Sequence, residues 1–139
     1  MLKKDTLLFV DDNAKTLELM ARIISSESFK VITETNGEEG LKHIKENDLV
    51  SVVISGFNMR GMNGLEFLQQ VKALSPITKR CLCSGSFDIT TLKTKVKSQE
   101  IHGFMMKPVN FVKVLTAINT YVEDREKGLD RFTLQLASI

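Results

Sequence analysis

The sequence predicts an α/β protein with a parallel sheet covered by helices on both faces. Short apolar runs alternate with segments of helical period, five times over. Each segment is bounded by turn or stop residues. The chain, at 139 residues with 42% hydrophobic and 26% charged side chains, has the size and composition of one ordinary domain.

Thr6–Val10 reads as a buried strand, and Leu17, Met20, Ala21 and Ile24 follow at the i, i+3, i+4, i+7 spacing of one helix face. Phe29–Thr33 is a second strand, after which Asn36-Gly37 opens a helix that turns Leu41 and Ile44 inward. Ser51–Ser55 is a third strand rich in β-branched residues, and the glycine-rich loop Gly56–Gly64 leads to a helix carrying Leu65, Leu68 and Val71. Pro76 ends that helix before a fourth strand, Arg80–Ser84. Ile89, Leu92 and Val96 mark a polar fourth helix, and Gly103–Met106 is a fifth strand stopped by Pro108. Phe111, Leu115, Ile118 and Val122 stripe the last helix. Strand-helix alternation of this kind implies right-handed crossovers.

From about Glu123 the character changes to a charged run, Glu123–Lys127, then Gly128, then Leu129, Phe132 and Leu136 at helical spacing. Residues 5–122 are therefore expected to form the domain. Residues 123–139 are a charged extension: a helix used for self-association, a segment packed back on the domain, or a linker. A homodimer through that stripe is one expectation.

Several function classes are disfavoured. The net charge of +2 is too small to argue for nucleic acid. No apolar run approaches the roughly 20 residues of a membrane span, and the first residues lack a signal peptide's apolar region. A cytoplasmic location is expected. Cys81 and Cys83, two apart on a strand, point to the same face with poor geometry for a mutual disulfide, and read as small buried hydrophobes. His43 and His102 read as solvated or helix-end residues. No nucleophile–base pair points to an enzyme.

In an open parallel sheet, chemistry gathers at the carboxyl ends of the strands. Those positions hold Asp11 and Asp12, then Gly56, then Ser84-Gly85, then Lys107-Pro108. Carboxylates suit a hard divalent ion, and a hydroxyl with an ammonium suits phosphate oxygens.

The chain resembles the receiver domains of bacterial response regulators over roughly residues 5–122. The matching pieces are Leu8–Asp12, Val52–Ser55, the loop Asn58–Glu66, Ser84-Gly85 and Phe104–Pro108. The resemblance implies a flavodoxin-like five-stranded sheet in the order 2-1-3-4-5 with five helices, in a two-component or phosphorelay protein. It also implies Asp11, Asp12 and the Asn58 carbonyl as metal ligands, Ser84 and Lys107 for phosphate, and Phe104 as the aromatic that rotates on switching.

One departure stands out. Where the family carries the phosphate-accepting aspartate, two residues before Asn58, this chain has Gly56, and no acid lies between Asp48 and Glu66. Arg60 also replaces the loop's usual proline. Glycine supplies no nucleophile. A missing carboxylate also costs a divalent ion on the order of 4 kcal/mol or more. Required cofactors are therefore expected to be none, with magnesium binding weak or absent and Lys107 free to pair with Asp11 or Asp12.

The expected function is a phosphorylation-independent module that binds a signalling protein: a histidine kinase, an output domain or another regulator. Lys93, Lys95 and Lys97 are a candidate basic face for it. The alternatives are the regulatory N-terminal part of a longer signalling protein, a flavodoxin-like ligand binder, and an engineered Asp→Gly change.

Overall fold

A computed structural model describes residues 5–26, 28–47 and 49–136. Residues 1–4, on which the leader reading rests, and 137–139 of the tail lie outside them.

The elements run β1 (Asp5–Val10), α1 (Ala14–Ile24), β2 (Phe29–Glu34), α2 (Gly37–Glu46), β3 (Val52–Gly56), α3 (Gly64–Leu74), β4 (Lys79–Ser84), α4 (Ile89–Lys97), β5 (Gly103–Met106), α5 (Phe111–Glu126) and β6 (Gln135–Leu136). The strands form one sheet in the order β2-β1-β3-β4-β5-β6, every pairing parallel. The first five follow the expected 2-1-3-4-5 order with five helices.

Alternation along the strands splits the core in two. Leu7, Phe9, Val52, Ile54, Cys81 and Cys83 face α1 and α5, while Leu8, Val10, Val53, Leu82 and Phe104 face α2, α3 and α4. Each helix starts at a polar N-cap whose side chain accepts backbone N–H groups: Asn13, Asn36, Asn63, Asp88 and Asn110 in turn. Asn63 and Glu66 complete a capping box. Gly64 is required by proximity, since a Cβ there would sit 2.1 Å from the Gly56 carbonyl oxygen.

Two buried faces differ from the sequence reading. α3 buries Phe67 with Leu68 and Val71, and Leu65 stays at the rim. α5 buries Val114, Ile118 and Tyr121, with Phe111, Leu115 and Val122 only partly covered.

The tail corrects the expected helical extension. Gly128, at φ +80°, turns the chain back after α5, and Leu129 N–H donates to the Asp124 carbonyl. Residues 129–134 then run as irregular chain to β6, placing Phe132 against Tyr121 and burying Leu134. Helical periodicity thus misled at Leu129, Phe132 and Leu136, because the glycine stops the helix before the stripe begins. Leu129 itself is exposed.

His102 is also not a solvated residue. Its Nδ1 accepts the Arg80 backbone N–H at 3.0 Å. Burial, with the charges of Arg80 and Lys79, pushes its pKa down to about 4. The folded state therefore holds fewer protons than the unfolded chain between about pH 4 and 6.5. Stability should fall as pH drops through that window, by on the order of 1–2 kcal/mol after allowance for solvent screening. Urea unfolding at pH 7 and pH 4.5, compared with the His102→Gln variant, checks this, because the variant should lose that part of the pH slope. His43 meets Glu34 through Nε2 at 2.5 Å, half-buried between α2 and the end of β2.

Candidate functional site at the carboxyl edge of the sheet

Asp11 follows β1, Gly56 ends β3, Ser84 ends β4 and Lys107 follows β5, so the parallel topology delivers all four to one edge. Asp11 is buried, and its Oδ2 lies 3.1 Å from Lys107 Nζ. Its Oδ1 accepts the Asn13 N–H at 2.9 Å. The space beside Gly56 belongs to this carboxylate: a Cβ built on Gly56 would fall 2.6 Å from Asp11 Oδ2 and 3.1 Å from its Cγ. The glycine leaves a gap that the neighbouring carboxylate has entered, and the lysine neutralises it there. Removing Lys107 would leave the buried Asp11 carboxylate without its counter-charge, whereas Lys107 itself reaches solvent.

The other residues are arranged less centrally. Asp12 is exposed and lines a separate groove with Thr35, Glu38, Glu39 and Arg60. Asn58 is exposed on the loop after β3. Ser84 is buried, and its hydroxyl accepts the Ser86 N–H at 3.3 Å while its carbonyl accepts the Lys107 N–H. Ser55 points to the opposite face, donating its hydroxyl to the Gly56 carbonyl at 2.8 Å. Phe104 is packed inward among Leu82, Leu92 and Ile101. Lys107–Pro108 is a cis peptide.

A divalent ion at Asp11 would have to displace Lys107 from its carboxylate. Both Asp11 oxygens have partners, Asp12 faces elsewhere, and no three acidic, histidine or cysteine side chains are grouped for a metal among the described residues.

Sequence reasoning missed Cys83 as a neighbour of the site. It pairs in register with Gly56, and burial, opposed by Lys107, holds its thiol up at about 12. The strand register was the signal that could have found it. Cys81 is likewise free and buried, its thiol pushed up by burial.

The three lysines of α4 do not form one face. Lys93 and Lys97 are exposed one turn apart, whereas Lys95 lies 3.8 Å from Glu100 beyond the helix end.

The response regulator receiver domain family model matches residues 7–119. The chemotaxis protein CheY of Listeria monocytogenes is 31% identical over 114 residues, covering 81% of this chain and 93% of that protein. The transcriptional regulatory protein GlrR of Escherichia coli is 27% identical over 124 residues, covering 89% of this chain but 28% of that protein, so the chain spans little more than a quarter of that relative. Among solved structures, a CheY-like receiver domain protein of Methanospirillum hungatei superposes with a TM-score of 0.79 at 25% identity, covering 91% of this chain and 99% of the other. A structure described as adenylate cyclase from Rhodopirellula baltica gives 0.80 at 30% identity, covering 91% and 94%. With the match running from β1 into α5, and the charged pair lying at the edge where the sheet order predicts a site, the chain belongs to the response regulator receiver domain family.

Proposed function

We propose that this receiver signals by binding another signalling protein, without accepting a phosphoryl group at Gly56. The observation that carries the reading is the Asp11 carboxylate lying in the Gly56 side-chain space, paired with Lys107. An acyl phosphate needs a carboxylate nucleophile at that point, and Ser55, the nearest hydroxyl in sequence, faces the other core. Magnesium would compete with Lys107 for Asp11, and so binds weakly. The chain then acts as a signalling module and not as an enzyme.

A partner surface is available at Lys93 and Lys97, which suit an acidic patch, with Lys95 contributing less because of Glu100. The partner classes are a histidine kinase, an output domain or another regulator. The short share of GlrR that the chain covers favours a second reading, in which this domain regulates further segments of a longer protein. Among the described residues no helix is long and apolar enough to cross a membrane, and we place the module in the cytoplasm.

Incubation with acetyl phosphate and magnesium tests the proposal. No acid-labile, hydroxylamine-sensitive phosphate should appear, and beryllofluoride should leave the near-ultraviolet spectrum unchanged. Stoichiometric phosphorylation of the chain would refute the reading.

A further inference from the structure

The sixth strand has an unusual connection. From β3 through β4 to β5 the chain moves in one direction across the sheet, with α3 and α4 on the same face. The step from β5 to β6 continues in that direction, but α5 lies on the opposite face, with α1. Reversing the face at constant direction reverses the hand, so the β5–α5–β6 crossover is left-handed. Crossovers between parallel strands of one sheet are right-handed in about 98% of cases.

Specific contacts hold the tail despite this. Arg131 Nε meets Asp124 Oδ2 at 2.9 Å, and Lys79 Nζ meets Asp130 Oδ1 at 2.8 Å. The Phe132 ring stands edge-on to Tyr121 at 5.8 Å, and Leu134 is buried. Phe104 N–H donates to the Leu134 carbonyl at 2.6 Å, beginning the ladder with β5. Gly103 is shaped to this strand, since a Cβ there would lie 2.6 Å from the same carbonyl oxygen. A groove of about 440 Å³ remains between α5 and the tail. β5, α5 and the start of β4 together make a slot with matched charge, aromatic and backbone features for residues 129–136.

We infer that this slot is a strand-docking site that takes residues 129–136 of a second copy of the chain, by exchange about Gly128. Two observations select that occupant. The contacts from Asp130 to Leu136 match this sequence and re-form on exchange, while the Leu129–Asp124 hydrogen bond of the Gly128 turn opens. The left-handed crossover, by contrast, exists only while the strand comes from the same chain, and it disappears when the strand comes from another. The inference does not depend on what Gly56 does.

The test uses the full chain and a fluorescent peptide of sequence Leu129–Leu136. In the wild type, the chain's own tail competes at an effective concentration of about millimolar, so the peptide should bind weakly. Leu134→Asp in the full chain disables its tail and leaves the slot intact, and should tighten peptide binding at least tenfold. Adding Gly103→Val to that variant should abolish the gain. Sedimentation after refolding at high concentration should show a dimer for the wild type and a monomer for Leu134→Asp. If Leu134→Asp fails to fold, Asp130→Lys with Arg131→Glu releases the tail by charge repulsion instead. Binding no tighter in the released variant, or indifference to Gly103→Val, would overturn the slot. Peptide uptake with no dimer at any concentration would overturn the second copy as its occupant.

Discussion

Replacing Gly56 with aspartate is expected to give the chain both phosphate acceptance and magnesium dependence. β3 holds residue 56 in an extended strand, so the backbone accepts a side chain there. The obstacle is Asp11, whose Oδ2 lies 2.6 Å from the new Cβ and must rotate away. That rotation breaks the contact with Lys107 and sets two carboxylates side by side. Without metal, Gly56→Asp should therefore lose about 2 kcal/mol of stability. Millimolar magnesium should restore it, because a ligand present at about 100 times its dissociation constant contributes about 2.7 kcal/mol. Lys107 and Ser84 remain nearby to take the phosphate oxygens. Urea unfolding with and without magnesium reads the stability change, and acetyl phosphate labelling reads the chemistry. A variant that takes no label and ignores magnesium would mean that more than the missing carboxylate separates this site from a working one.

The second large effect is expected at Arg80, among the largest fully buried side chains. No carboxylate pairs with it among the described residues. Instead, its guanidinium donates to four backbone carbonyls: Nε to Glu100 at 3.2 Å, Nη1 to Pro76 at 3.2 Å and Thr78 at 2.9 Å, and Nη2 to Gln99 at 2.9 Å. It thereby ties the loop before β4 to the loop before β5, where Gln99 sits at φ +62°. Burial lowers the Arg80 pKa, yet the group stays charged because free arginine titrates so high. Arg80→Ala should cost about 3–5 kcal/mol, since it leaves a cavity and four carbonyls without a donor. At a urea dependence of about 1–3 kcal/mol per molar, the unfolding midpoint should fall by at least about 1 M. Arg80→Lys should recover only part, as an ammonium lacks the fork that spans carbonyls from two loops. A midpoint change under about 0.3 M for Arg80→Ala would show that the clamp contributes little.

The sheet was legible because its central strands bury both faces and each helix buries one, and these requirements leave short apolar runs and a period of 3.6 in the sequence. The carboxyl-edge residues were legible for the same topological reason. Asp11 and Lys107 meet because β1 and β5 run parallel and end at the same edge. Asp12, next to Asp11 in sequence, is exposed and lines a groove with Arg60, a placement that adjacency alone does not announce. Arg80 could not be anticipated, because its partners are carbonyls, which every residue carries and no residue type announces. The α5 face was offset because the tail covers Tyr121 and Asp124, extending burial around the helix beyond its contact with the sheet. His102 owes its lowered pKa first to burial, and the backbone N–H that its Nδ1 accepts is equally silent in sequence.

The two-residue sixth strand decides whether β5 is an inner strand or an open edge. Gln135–Leu136 covers β5, and when residues 129–136 leave their slot β5 becomes the outermost strand on that side. An uncovered strand edge is a template for pairing with another chain. The ion pairs that hold the tail therefore also keep that side of β5 from pairing with another chain.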